Sequence, residues 1–231
     1  MAQQTKFITF SGKGECRVCG AKYTARGMAP HMKKHMAKAF GDPDRFIIRI
    51  DQGPQGPFWM YVQVSTEATF GVLDRFLRAV WMECCGHLSE FTVGGKSAGK
   101  RKRLSAVLSG GAGFAYQYDM GDTTALRLTV MGRSARLIDL GGLVRNDAYF
   151  PPPMVVGEGK VRIVALHEKV RYNCEKCGKA ASYVCPQCIY DGTGACCEVC
   201  APSHGCGDDM LLAAAQSPRV GTCGFEGGSL G

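Results

Sequence analysis

The residues of this sequence best suited to chemistry are its thirteen cysteines, eight of which stand in four Cys-x-x-Cys pairs. Two thiols at that spacing lie on one tight turn and supply half of a tetrahedral zinc shell. The first pair, Cys16 and Cys19, is followed by Tyr23, Met28, His31 and His35. Four residues apart, His31 and His35 share one face of a helix. Tyr23 and Met28 stand where two-Cys/two-His fingers keep their two apolar core residues. A unit this small has almost no core, so the metal supplies its folding free energy. The pattern assigns Cys16, Cys19, His31 and His35 to one zinc ion.

The other three pairs form a run near the end: Cys174 and Cys177, Cys185 and Cys188, Cys197 and Cys200, then His204 and Cys206. Eight donors in alternating pairs suit two tetrahedral ions in a cross-braced arrangement of the B-box type. Cys174, Cys177, Cys197 and Cys200 then share one ion, and Cys185, Cys188, His204 and Cys206 the other. A sequential scheme, with two successive four-ligand knots, is the rival. Cys196 can stand in for Cys197, and Cys223 for Cys206. Eight donors leave no open position on either ion, so both sites are structural rather than catalytic. Three zinc ions per chain are expected.

This reading needs reduced thiols. No apolar signal-peptide stretch follows Met1 to Lys6, and no apolar run approaches the ~18–20 residues of a membrane span. The expected setting is therefore the cytoplasm, where paired cysteines bind metal rather than each other. Lys and Arg outnumber Asp and Glu 28 to 20, a net charge of +8 that favours polyanionic partners. Within the finger, Thr24, Gly27 and Pro30 occupy the base-reading positions, and none carries a bidentate donor. The helix is expected to begin at Pro30, with Lys33, Lys34 and Lys38 facing phosphate. The densest charge is a loop bearing Lys96, Lys100, Arg101, Lys102 and Arg103, five cations in eight residues. It reads as a phosphate contact or as a solvated surface loop, and it holds no aromatic residue for base stacking.

Stretches poor in cysteine must position these groups. Arg45 to Ile50 and Phe58 to Ser65 are β-rich runs around a Gly/Pro turn. Thr69 to Glu83 is helical in period, with Phe70, Leu73, Leu77, Val80 and Trp81 on one face and Thr66 or Thr69 as cap. His87 to Val93 reads as a strand and Leu104 to Leu108 as a short helix. Phe114 to Tyr118 and Thr124 to Met131 read as a hairpin, Pro151-Pro152-Pro153 as a break, and Lys160 to Leu166 as a final strand. The fold class is α+β: a central mixed, mostly antiparallel sheet with one main helix, flanked by small zinc modules. The finger spans 1–41, the core 42–168, and the cysteine-rich module with its tail, irregular from Gly221, 169–231.

Phe46 to Val130 is similar to the plasmid open-reading-frame-three-like family, a TnpR-type passenger of transposable elements. The resemblance rests on Trp59, the helix Leu73 to Trp81, His87-Leu88-Ser89-Glu90-Phe91, and Tyr116-Gln117-Tyr118-Asp119-Met120-Gly121-Asp122. The tail Gln216 to Phe225 also resembles extended members with a zinc-rich end. The family's signature continues with Trp and His where this chain has Thr124 and Leu126. The resemblance implies an α+β fold and association with mobile elements, and no established reaction.

The expected function is that of a non-enzymatic zinc protein associated with nucleic acid or a ribonucleoprotein. One alternative is a protein-interaction module. Another is a metal-dependent nucleic-acid enzyme built on Asp119 and Asp122, with Glu90 or His87. The plainer account of those two aspartates is a turn in which they bond backbone amides and Gly121 supplies a positive φ. Cys84 and Cys85, next to His87, read as helix-end residues rather than nucleophiles. No catalytic residue, membrane contact or small-molecule substrate is assigned.

Overall fold

A computed structural model describes residues 7–53, 56–137 and 161–228. Pro54 and Gln55 of the first turn, the Pro151-Pro152-Pro153 break and Lys160 lie outside the described residues. In chain order the elements are β1 (Ile8–Thr9), β2 (Lys13–Cys16), β3 (Lys22–Thr24), α1 (Ala25–Lys38), β4 (Arg45–Asp51), β5 (Trp59–Ser65) and α2 (Phe70–Leu77). A π-helical turn (Arg78–Met82) continues α2. Then come β6 (Ser89–Val93), β7 (Lys96–Ser97), β8 (Gly113–Tyr118), β9 (Thr124–Ser134), β10 (Val161–His167), β11 (Arg171–Tyr172), β12 (Tyr183–Val184), β13 (Ala195–Cys196) and β14 (Leu212–Ala213).

The fold is α+β, with the expected main helix, α2, and the finger helix α1 accompanying the sheet. Nine strands run in the order β3-β2-β10-β5-β4-β9-β8-β6-β7. The sheet is not mixed: among the described residues every strand pair is antiparallel. Alternation explains how its centre is covered on both faces. Phe46, Ile48 and Ile50 of β4 and Met60, Val62 and Val64 of β5 face the large core under α2. Ile47, Trp59 and Tyr61, one residue out of phase, face a second core that holds Met28 and Met32 of α1. In β10 a register shift between Ile163 and Ala165 lets Ile163 and Leu166 join the first core while Val164 and Ala165 join the second.

The finger is thus welded to the sheet. Its strand β2 pairs with β10, from the far end of the core sequence. Only glycine fits at residue 14, because a Cβ there would lie 2.3 Å from the Leu166 carbonyl and 2.5 Å from the Trp59 ring. The finger helix begins at Ala25, not at Pro30. Thr24 Oγ1 accepts from Gly27 N at 3.2 Å, and that cap outweighs the proline, which sits exposed inside the helix without an N–H to donate. Tyr23 also departs from expectation: it is 38% exposed and lies against the His31 ring, and Met32 takes the core place beside Met28.

Thr69 caps α2, accepting from Val72 N, and the basic loop completes the cap. Phe70 N donates to the Lys102 carbonyl and Gly71 N to that of Lys100. The five apolar residues expected on one face of this helix, Phe70 to Trp81, are all buried. At the end of β10, His167 is 1% exposed and meets the rings of Phe58 and Trp81 edge-on or tilted. Burial pushes its pKa down to about 4, against a smaller upward pull from the Glu168 carbonyl.

A depressed histidine pKa means that the unfolded chain binds the proton first. The neutral ring is fully compatible with the fold above pH ~6.5, and stability is lost as pH falls from there towards 4. Between pH 7.5 and 5.0 the group should remove about 2 kcal/mol. Urea melts at the two pH values should show His167→Leu losing that much less stability than the wild type, and equal losses would contradict this assignment.

Candidate metal centres

A zinc ion with Zn–S near 2.3 Å and Zn–N near 2.0–2.1 Å holds tetrahedral donors roughly 3.3–3.8 Å apart. The finger comes close to this, with its two sulfur–nitrogen distances in range and the nitrogen pair slightly short. Cys16 Sγ lies 3.5 Å from His35 Nε2, Cys19 Sγ 3.3 Å from His31 Nε2, and the two Nε2 atoms 3.1 Å apart. The thiols project from a knuckle closed by Gly20 N donating to Cys16 O, with Gly20 at φ +73°. Desolvation lowers the pKa of both histidines, helped by neighbouring positive groups, so each favours the neutral form that binds metal.

The C-terminal module repeats the device. Gly178, at φ +70°, donates to Cys174 O just as Gly20 does to Cys16 O. The fold brings together Cys174, Cys177, Cys197 and Cys200, with Cys177 and Cys197 sulfurs 3.6 Å apart. It brings together separately Cys185, Cys188, His204 and Cys206, with Cys188 Sγ 3.6 Å from both His204 Nε2 and Cys206 Sγ. This is the cross-braced grouping. The small sheet β13-β12-β14 carries it, folding the third pair back beside the first. Cys196 faces the back of the His204 ring, 3.7 Å from Nδ1, where Glu175 Oε1 also lies at 3.7 Å. A carboxylate behind a ligating imidazole orients the ring and raises its basicity.

The thiol chemistry also asks for a cation. Burial resists ionisation of Cys174, but the backbone amides of Cys197, Cys177 and Lys176 bring it down to about 6. In the same cluster Cys200 is pushed up to about 12, first by its contact with Cys197. Cys185 falls to about 7, and burial and Cys206 lift Cys188 to about 12. In the first cluster the Cys200 amide also lowers Cys197, and in each cluster the sulfur pushed up, Cys200 or Cys188, is one that a positive ion would stabilise as thiolate.

A fourth group of donors, Cys84, Cys85, His87 and Cys223, was not grouped from the sequence. Its members lie up to 139 residues apart, and no local spacing joins them. The described residues therefore hold four Cys/His clusters able to bind zinc, and by this donor chemistry the chain is a zinc-binding protein.

The Asp119 and Asp122 turn is occupied by other work. Asp119 Oδ1 accepts from the Gly121 and Asp122 amides, and the positive φ, 64°, belongs to Asp119 itself rather than to Gly121. Its Oδ2 accepts from Arg219 at 2.6 Å, and Asp122 Oδ2 accepts from the Tyr190 hydroxyl. Glu90 pairs across β6 and β8 with Gln117 and is outside this cluster. Burial raises the Asp119 carboxyl, and Arg219 with the two amides more than reverses this, holding it below the usual carboxylate range. The basic loop is likewise partly engaged. Lys100 Nζ donates to Asp74 and Ser89, Arg103 pairs with Glu67, and Lys96, Arg101 and Lys102 are exposed. Lys33, Lys34 and Lys38 are exposed on α1.

No known protein-family model matches the chain, and no curated protein matches it. Among solved structures, a protein of unknown function from Methanosarcina mazei Go1, MM3350, is similar at 21% identity and a TM-score of 0.36. The match covers 40% of this chain and 61% of that one. No helix among the described residues is long and apolar enough to cross a membrane.

The grouping can be read by alkylation mapping. Cys177→Ser should release one zinc and expose Cys197 and Cys200 to a thiol reagent, while Cys185 and Cys188 stay protected. Exposure of Cys185 and Cys188 instead would establish the sequential scheme.

Proposed function

We propose that this is a non-enzymatic, zinc-stabilised protein that associates with nucleic acid by gripping the phosphate backbone with the outward face of α1. One observation carries the proposal: the charge is concentrated there and left unneutralised. Residues 1–41 hold eight Lys or Arg and one acid, a net +7 of the chain's +8. Arg26, Lys33, Lys34 and Lys38 are exposed within about 140° of the helix circumference, and among the described residues none has an acidic partner.

Zinc sharpens this polarity. A two-Cys/two-His site is neutral once both thiols ionise, a four-Cys site carries −2 and a three-Cys/one-His site −1. Three such ions leave the finger at +7 and take residues 169–231, with five bases and six acids, from −1 to −4. Phosphate is then attracted to one end of the molecule. The exposed cations of the basic loop are a second, weaker contact at the opposite edge of the sheet. Eight strand spacings separate β3 from β7, about 38 Å.

Base reading has no support in the finger. Thr24 Oγ1 is spent on the helix cap, and Gly27 and Pro30 bring no side-chain donor. A partner held by phosphates alone is bound without regard to sequence. The resemblance of the core to a mobile-element family agrees with a nucleic-acid partner.

Replacing Arg26, Lys33, Lys34 and Lys38 by Ser should lower the log–log salt slope for duplex DNA by about 3–4, since each lost phosphate contact removes roughly 0.9. Replacing Lys96, Arg101 and Lys102 should lower it less. An unchanged slope in a folded α1 variant, or no binding by the wild type at low salt, would overturn the proposal and leave a protein-interaction role.

A further inference from the structure

The geometry points to a fourth metal site, formed by Cys84, Cys85, His87 and Cys223, that clasps the C-terminal segment to the core. Its four donor atoms lie within 4.8 Å of one another, and His87 Nε2 is 3.2 Å from Cys223 Sγ. That separation is close to the donor spacing of the finger, and the donor set is that of a structural zinc site.

Each half of the site is set by a tight turn of the backbone. After the π-helical turn the chain reverses at Gly86, φ +72°, whose N–H donates to Glu83 Oε1. The reversal sets Cys85 and His87 on one side. The His87 N–H is fixed by the Tyr118 hydroxyl at 3.3 Å. On the other half, Cys223 adopts φ +49°, a left-handed conformation that non-glycine residues rarely take. It is held there between two anchors, the fully buried Arg219 and the buried Phe225, by tight turns from Arg219 to Thr222 and from Thr222 to Phe225. These turns set an exposed cysteine beside two thiols and an imidazole 136 to 139 residues away in sequence, an arrangement that a shared metal ion would explain. The surroundings suit a metal-bound thiolate, because Arg219 Nε donates to Cys84 Sγ at 3.4 Å.

Three thiols and an imidazole select a borderline-soft divalent ion, zinc before magnesium or calcium. Binding releases the thiol protons to solvent and changes no oxidation state. Four donors leave no open position, so the site fastens rather than catalyses. Two of its thiols, Cys85 and Cys223, are exposed, against one each, Cys19 and Cys177, in the finger and the first C-terminal set. This inference stands apart from the nucleic-acid proposal, which concerns α1.

Metal analysis of the full chain, purified under reducing conditions, tests it directly. The wild type should hold four zinc ions, and Cys223→Ser and Cys85→Ser three each. Cys85 is exposed, so its variant keeps the comparison valid should Cys223→Ser fold poorly. Cys84, Cys85 and Cys223 should resist alkylation until a chelator is added. Three ions in the wild type, four in Cys85→Ser, or a Cys85–Cys223 disulfide found by mass would overturn the proposal.

Discussion

A buried guanidinium needs a full set of partners, and Arg219 finds them only when the C-terminal segment closes on the middle of the core. Its side chain is completely buried. It donates to Asp119 Oδ2, to the Asp122 carbonyl, to Thr124 Oγ1 and to Cys84 Sγ, and it lies over the Tyr118 ring at 4.9 Å. Every partner comes from the core, between the end of α2 and the β8–β9 hairpin. Around it the segment is sewn in further: Gln216 exchanges hydrogen bonds with both backbone groups of Val170, and Ser217 donates to the Trp81 carbonyl. Removing either member of a buried pair leaves the other charge without compensation. The segments Tyr118 to Asp122 and Gln216 to Phe225 are thus partners in space.

The same logic of late sequence closing on early sequence governs the other end. Strand β10 lies between β2 of the finger and β5 of the core, so the finger hairpin is the edge of the main sheet. Metal and sheet therefore share the task of holding the finger. A zinc ion held by Cys16, Cys19, His31 and His35 would fix one side, and Met28 and Met32 bury in one cluster with Ile47, Tyr61 and Val164 on the other. A finger anchored in this way presents α1 in one fixed orientation, which is what a rigid phosphate-contacting face requires.

Local features were legible in the sequence and distant ones were not. Cys-x-x-Cys knuckles are set by a few residues, with a following glycine at Gly20 and Gly178, so three donor sets could be named from spacing. Choosing between cross-braced and sequential grouping depends on where β12 to β14 fold the chain, which spacing does not encode. The strands β4, β5, β8 and β9 and the helix face from Phe70 to Trp81 follow from period alone. Three features were missed for physical reasons. The start of α1 is fixed by the Thr24 cap, which prevails over Pro30. The dense charge of the loop suggested a free surface, yet its backbone caps α2 and Lys100 turns inward to Asp74. The tail from Gly221 is irregular, as expected, and the unread part is its anchoring through Arg219 and Phe225, by contacts distant in sequence.

The central claim is that the C-terminal segment is part of the core, fixed by the Arg219–Asp119 pair. A double-mutant cycle with Arg219→Met and Asp119→Asn, read by urea unfolding of the zinc-loaded chain, tests it most directly. Each single change should destabilise the protein by about 3–5 kcal/mol, and the double variant by clearly less than the sum, because the second change removes the charge that the first left unpaired. Single effects below about 1 kcal/mol that simply add would show that the segment merely rests on the core.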